Sequence, residues 1–400
     1  MTGVLAGSAS AYSVLSHEAI IDSAWEVSIK PMLVKRFPAA TGDDLKKAHA
    51  YAYGGAIIQD LGYYPFGSHQ FSDLVHYIRS GDFVIATLQE AHDLNEFAFA
   101  LGTLAHYAAD NNGHPIAVNP SVAMLYPKLE HKYGDKVTYE DDPTAHLRVE
   151  FSFDVAQVAK GHYAPEAYHD FIGFEVSKDL LERAFLRTYG LQLKDVFASV
   201  DLALGTYRWT VGSIIPEMTK VAWDAKKKDL LKETPGLTRQ QFVYNMSRSS
   251  FEKEWGTTYE RPGPWARFLA WVFKVMPKIG PFKALAFRAP TPQAEKLFMQ
   301  SFNATLDDYK SLLARVGRGQ LQKLPDRNFD TGQPTKAGDY RMADDAVAKL
   351  VDKLADKKFE TVDPTLRANI LEFYHGTTPS DPKTASALQQ LRATPASASL

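Results

Sequence analysis

LGTLAHYAADNNGHP, residues 101–115, places His106, Asp110 and His114 at four-residue intervals, with a Tyr directly after the first His. Residues four apart share one face of an α-helix. Imidazoles and carboxylates set side by side in this way are the ligands a zinc site asks for. A second pair, His146 and Glu150 in AHLRVEFSFD, repeats the spacing. The chain has no cysteine, so any zinc must be held by His, Asp, Glu or the amino terminus.

The surrounding pattern is helical. Asp93-x-x-Glu96 caps a run with Phe97, Leu101, Leu104 and Ala108 on one side. Asn111-Asn112-Gly113 and Pro115 predict that this helix stops there, with His114 at or just past its end. Ser16 is the predicted cap of a helix carrying His17, Ile20, Ile21 and Trp25. Thr144 is the predicted start of the helix carrying His146 and Glu150. β-like pieces such as Lys136-Val137-Thr138-Tyr139 are too few for a sheet, so residues 12–250 read as mainly α.

The 400 residues are 45% apolar, with 23 Phe, 19 Tyr and 6 Trp, enough for a sizeable core. A net charge of −2 provides no global basic field for nucleic acid. No apolar stretch approaches the roughly 20 residues of a membrane span. Ala9-Ser10-Ala11 is a pattern of the kind signal peptidase cuts, so residues 1–11 are expected to be the remnant of a signal peptide and the protein to be secreted or periplasmic. Arg261-Pro262-Gly263-Pro264 marks a boundary, and the catalytic domain is expected to span residues 12–250. Residues 265–288 have five basic residues and no acidic one, and Pro277 and Pro281 break them up. Helices are predicted near 291–316, 341–357 and 364–374, with a polar, turn-rich stretch at 324–340. Residues 251–375 thus form a helical extension without assigned chemistry, and 376–400 a disordered tail.

Two further stretches offer ligands. Asp60 ends the apolar run GGAIIQD, and His69 and His76 follow in GSHQFSDLVHY, where His76 precedes a Tyr as His106 does. In this order, Asp60, His76, His106-Tyr107, Asp110, His114, His146 and Glu150 resemble the zinc-dependent phospholipase C family, which is related to the single-strand-specific zinc nucleases. The resemblance covers residues 12–250 and implies an all-α fold with three zinc ions in a cleft. It implies one zinc on Asp60, His76, His106 and Asp110, and a second on His114, His146 and Glu150. A third would share Asp110 as a bridge, with His17 and a mature amino terminus at Tyr12 completing it. Three departures stand out. Tyr12 replaces the usual Trp. The Asp110–His114 gap is two residues short, which leaves His131 as an alternative to His114. The Asp60–His76 spacing is long, which leaves His69 open.

The chemistry implied is phosphodiester hydrolysis by water activated on zinc, with Asp60 either orienting that water or serving only as a ligand. Glu150, where the nucleases carry Asp, and the absence of Cys point to phospholipid, with diacylglycerol and a phosphorylated headgroup as products. Residues 265–288, with Trp265 and Trp271 among basic residues, suit either a lipid headgroup layer or a docked helix. Tyr63, Tyr64 and Phe66 are candidates to flank the cleft and hold a quaternary ammonium. The alternatives are a single-strand-specific zinc nuclease and a non-catalytic, membrane-associated protein with a structural zinc cluster. His49, His92, His162, His169 and His375 match no ligand position and are read as surface or packing residues.

Overall fold

Helix Leu94–Gly113 runs through the middle of the molecule because its sequence is apolar or small on nearly every side. Phe97 to Asp110 are buried without interruption. The computed structural model describes residues 12–163, 174–215, 218–219, 222 and 284–393, and every regular element among them is helical. Residues 1–11, the boundary at 261–264, most of 265–288 and the end of the tail lie outside the described residues. No described helix is long and apolar enough to cross a membrane.

The central helix starts where the sequence predicts. The Asp93 carboxylate accepts the Glu96 N–H at 2.8 Å, and the Glu96 carboxylate takes the N–H of His92. Helices Gly42–Ile57 and Pro292–Gly317 pack against it on different sides. Its approach to Gly42–Ile57 is backbone to backbone. A Cβ on Gly55 would lie 1.9 Å from the Phe99 carbonyl oxygen, and one on Gly102 would lie 2.2 Å from that of Ala52. This glycine notch brings the Ala56 carbonyl within 2.9 Å of His106 Nδ1. On the other side, the Tyr309 hydroxyl donates to the Leu101 carbonyl at 2.8 Å. The C-terminal region is therefore part of the same core and not an appendage.

Four local expectations are corrected. The chain does not stop being helical at Gly113. It continues through a π-helical turn, His114–Val118, into helix Asn119–Leu125. Gly113 keeps a helical φ of −63°, and Asn111 and Asn112 donate to the carbonyls four residues back, so they reinforce the helix end. Pro115 sits in the first turn of the π segment, where its missing N–H is tolerated. Ser16 is not a cap, because its helix begins at Val14. The Asp154 carboxylate instead accepts the N–H groups of Leu15 and Ser16 from across the core. Asp142, not Thr144, caps helix Pro143–Ala159. Within the expected disordered tail, Pro382–Ala393 is a helix that buries Leu388 and Leu391, apolar residues that its Ser, Thr and Ala neighbours mask in the composition.

The stretch 318–340 crosses the face of the molecule that carries His76 and Tyr107. Tyr107 donates to the Pro325 carbonyl, and the Phe329 N–H donates to the His76 carbonyl at 3.0 Å. At the described end of 265–288, Phe287 packs edge-on against Phe151, and Arg288 donates to the Leu125 carbonyl. The glycine notch makes a direct prediction. Gly102→Ala should push the two helices apart and lower stability by about 3 kcal/mol, read as a lower urea unfolding midpoint. A wild-type midpoint would contradict the backbone contact.

Candidate metal centre

Asp60, His76, His106 and Asp110 come from three elements and converge at the base of the central helix. Asp60 lies in the 3-10 turn Ile58–Tyr63 that ends the Gly42–Ile57 helix, His76 in the last turn of His69–Tyr77, and the other two one turn apart on Leu94–Gly113. His76 Nε2 is 3.4 Å from Asp60 Oδ1, 3.4 Å from His106 Nε2 and 3.6 Å from Asp110 Oδ2. His106 Nε2 is 3.2 Å from Asp110 Oδ2. A tetrahedron of N and O ligands about 2.0–2.1 Å from a zinc ion has edges of about 3.3–3.4 Å. The four separations are close to such edges, and Asp60, His76 and His106 form one group of a spacing that suits a metal, with Asp110 beside it.

The rings are held in the required tautomers. His76 Nδ1 lies 2.8 Å from the Ser72 carbonyl and His106 Nδ1 lies 2.9 Å from that of Ala56. A carbonyl only accepts, so each Nδ1 carries a hydrogen and each Nε2 is the nitrogen turned inward. The two Nε2 atoms then face each other across 3.4 Å, where a metal ion would take the place of a proton.

Asp110 also faces a second cluster. Its Oδ1 lies 3.7 Å from His17 Nε2, and the His17 ring stacks on His106 at 4.6 Å and 5°. His17, His106 and Asp110 form one group of a spacing that suits a metal. Tyr12 is buried beside them, its ring edge-on to His17 at 6.0 Å and its hydroxyl donating to Ser301 Oγ at 2.6 Å.

The third group is His114, His146 and Glu150. His146 Nε2 donates to the Val137 carbonyl, which leaves Nδ1 facing Glu150 Oε1 at 3.8 Å. Asp330, from the stretch 318–340, joins them with Oδ1 3.3 Å from His114 Nδ1. Among these groups, Asp60 Oδ1, both oxygens of Asp110, His114 Nδ1, His146 Nδ1, Glu150 Oε1 and Asp330 Oδ1 are buried with no hydrogen-bond partner. Buried carboxylates left so are costly unless a cation answers them, and the donor set of imidazole and carboxylate suits zinc.

The protonation pattern agrees. Burial lowers His17 to about 3 and His114 to about 4, so both are neutral, as ligands must be. Burial also opposes a charge on His106, but Asp110 and Asp60 outweigh it and carry the imidazole up to about 9. Burial raises Asp60, and it raises Glu150 to about 8. Burial pushes Asp110 up as well, yet His106, His17 and His114 hold it well below the usual carboxylate range.

Of the two open alternatives, the structure brings together His76 and His114. His69 and His131 are exposed on the surfaces of their helices. Tyr63 lies edge-on to His76 at 5.8 Å, while Tyr64 turns to Tyr207 and Phe66 is exposed. His49 is a packing residue, stacked on Trp25 at 3.8 Å. The residues that the sequence did not point to are Phe329, whose ring packs on His76 and Tyr107, and Asp330. They lie in a turn-rich stretch about 180 residues after Glu150 and match no spacing pattern.

Residues 16–199 match the family model described as zinc dependent phospholipase C. No curated protein and no solved structure matches the chain. The segment 16–199, which carries His17, Asp60, His76, His106, Asp110, His114, His146 and Glu150, belongs to the zinc-dependent phospholipase C family.

Proposed function

We propose that this protein is a zinc-dependent phosphodiester hydrolase that acts as a phospholipase C on glycerophospholipid, releasing diacylglycerol and a phosphorylated headgroup. The observation that carries the reading is Asp110. One of its oxygens faces the ring nitrogens of His76 and His106 and the other faces His17, so a single buried carboxylate joins two groups suited to metals. The family supplies the substrate class.

Zinc bound in these groups would supply Lewis acidity and a water acidic enough to ionise near neutral pH. The chain supplies the rest. The Ala56, Ser72 and Val137 carbonyls hold the His106, His76 and His146 rings in orientation. Asp60, raised by burial, would orient a water and take its proton, or serve only as a ligand. Tyr63 and Tyr139, their rings 5.9 Å apart, wall the region between His76 and His146 and limit water there. Export, with Tyr12 as the mature terminus beside His17, belongs to the same reading.

A second reading, a structural zinc cluster, is favoured by one observation, that none of the eight residues from His17 to Glu150 at the centre is more than 3% exposed. Phosphorus NMR separates the two. Zinc-loaded protein, as the full chain and as a form beginning at Tyr12, is mixed with phosphatidylcholine micelles and single-stranded DNA. Phosphocholine alone, suppressed by a chelator and reduced more than about 100-fold by Asp110→Asn, is expected. Mononucleotides would move the protein to the nuclease branch, and bound zinc without either product would favour the structural reading.

The pKa shifts give an independent prediction. In metal-free protein at pH 7, His106 (about 9) and Glu150 (about 8) hold protons that a metal must displace. Zinc uptake should therefore release one proton from each at pH 7, and affinity should rise with pH until it levels off above about 9. Calorimetry in buffers of different ionisation enthalpy reads the release. Uptake without proton release at pH 7 would contradict the assignment of these two residues.

A further inference from the structure

We propose that Asp330 is a fourth protein ligand of the metal held by His114, His146 and Glu150, delivered by the C-terminal region from outside the family segment. The inference rests on the reading that those three residues hold a metal. It goes beyond that reading because Asp330 lies well past residues 16–199.

The two oxygens of Asp330 have separate roles. Oδ2 accepts the Tyr139 N–H and the Tyr340 hydroxyl, both at 2.8 Å. Oδ1 is buried, has no hydrogen-bond partner, and stands 3.3 Å from His114 Nδ1, which has none either. The pair does not meet the geometry of a hydrogen bond, yet its spacing is that of two corners of a tetrahedral shell, about 3.3–3.4 Å. His146 Nδ1 and Glu150 Oε1, whose residues form with His114 a group of a spacing that suits a metal, are likewise buried and unsatisfied. A carboxylate of the 1%-exposed Asp330 left there without a cation would be strongly unfavourable.

The surrounding contacts fix Asp330 in position. Its N–H and that of Thr331 are accepted by Asn328 Oδ1, its carbonyl accepts from Asn119 Nδ2, and Phe329 beside it is hydrogen-bonded to the His76 carbonyl. The segment is thus tied to the start of helix Asn119–Leu125, to the His76 helix and to His114 at once. Three protein ligands leave a zinc position open, and four close it. Asp330 therefore closes this metal to outside ligands while the segment is seated.

Asp330→Asn tests the assignment with little disturbance. Its side-chain oxygen can keep the Tyr139 and Tyr340 hydrogen bonds while an NH2 group, which is no metal ligand, replaces Oδ1. Metal content is measured across a chelator series, alongside visible spectra of cobalt(II)-substituted protein. Affinity for one metal should fall by at least about tenfold, and the cobalt spectrum should change as solvent takes the vacated position. Tyr340→Phe, which removes only a hydrogen bond to Oδ2, should keep the wild-type affinity and spectrum. If Asp330→Asn keeps both, or if Tyr340→Phe loses as much, the assignment falls while the three-residue site stands. Wild-type protein that takes up no zinc would overturn both.

Discussion

Asp110 is a fully buried carboxylate with no hydrogen-bond donor on either oxygen, and the rest of the molecule is arranged around that charge. An isolated carboxylate in an apolar core costs several kcal/mol even after relaxation. Here His106, His76 and His17 stand within 3.7 Å of it. Imidazoles alone answer it only partly, because burial keeps His17 neutral. A metal cation satisfies the carboxylates and the ring nitrogens together. Asp60, Glu150 and Asp330, each with an unsatisfied oxygen, extend the same requirement across the centre.

The fold meets this requirement through rigid parts. The glycine notch between Gly55 and Gly102 lets two helices touch at their backbones, and that contact places the Ala56 carbonyl where it can orient His106. Asp154, buried with its pKa raised by burial to about 6, caps the helix that carries His17. The C-terminal helix Pro292–Gly317 covers the other side of the central helix, and the stretch after it crosses the centre. Residues 16–199 account for the family, but the centre as folded is completed by residues from beyond them.

What was legible in the sequence followed from local physics. Helical periodicity set the class, Asp93 set the start of the central helix, and the four-residue spacings brought His106 to Asp110 and His146 to Glu150. Illegible features depended on distant partners. Gly113 and Pro115 look like a stop, but a π turn and packing on Pro292–Gly317 carry the chain through. Ser16 looks like a cap, but Asp154 takes that role from 138 residues away. Asp330 sits in an Asx turn that could belong to any surface loop, and only the tertiary fold shows that its second oxygen points inward.

The central claim is that these side chains surround metal ions. Anomalous diffraction at the zinc edge, from crystals of zinc-loaded protein, tests it most directly. One peak should lie about 2.0–2.2 Å from Asp60, His76, His106 and Asp110, and another at the same distance from His114, His146, Glu150 and Asp330. Density at full zinc occupancy elsewhere, with these side chains still facing one another across empty space or water, would contradict the account.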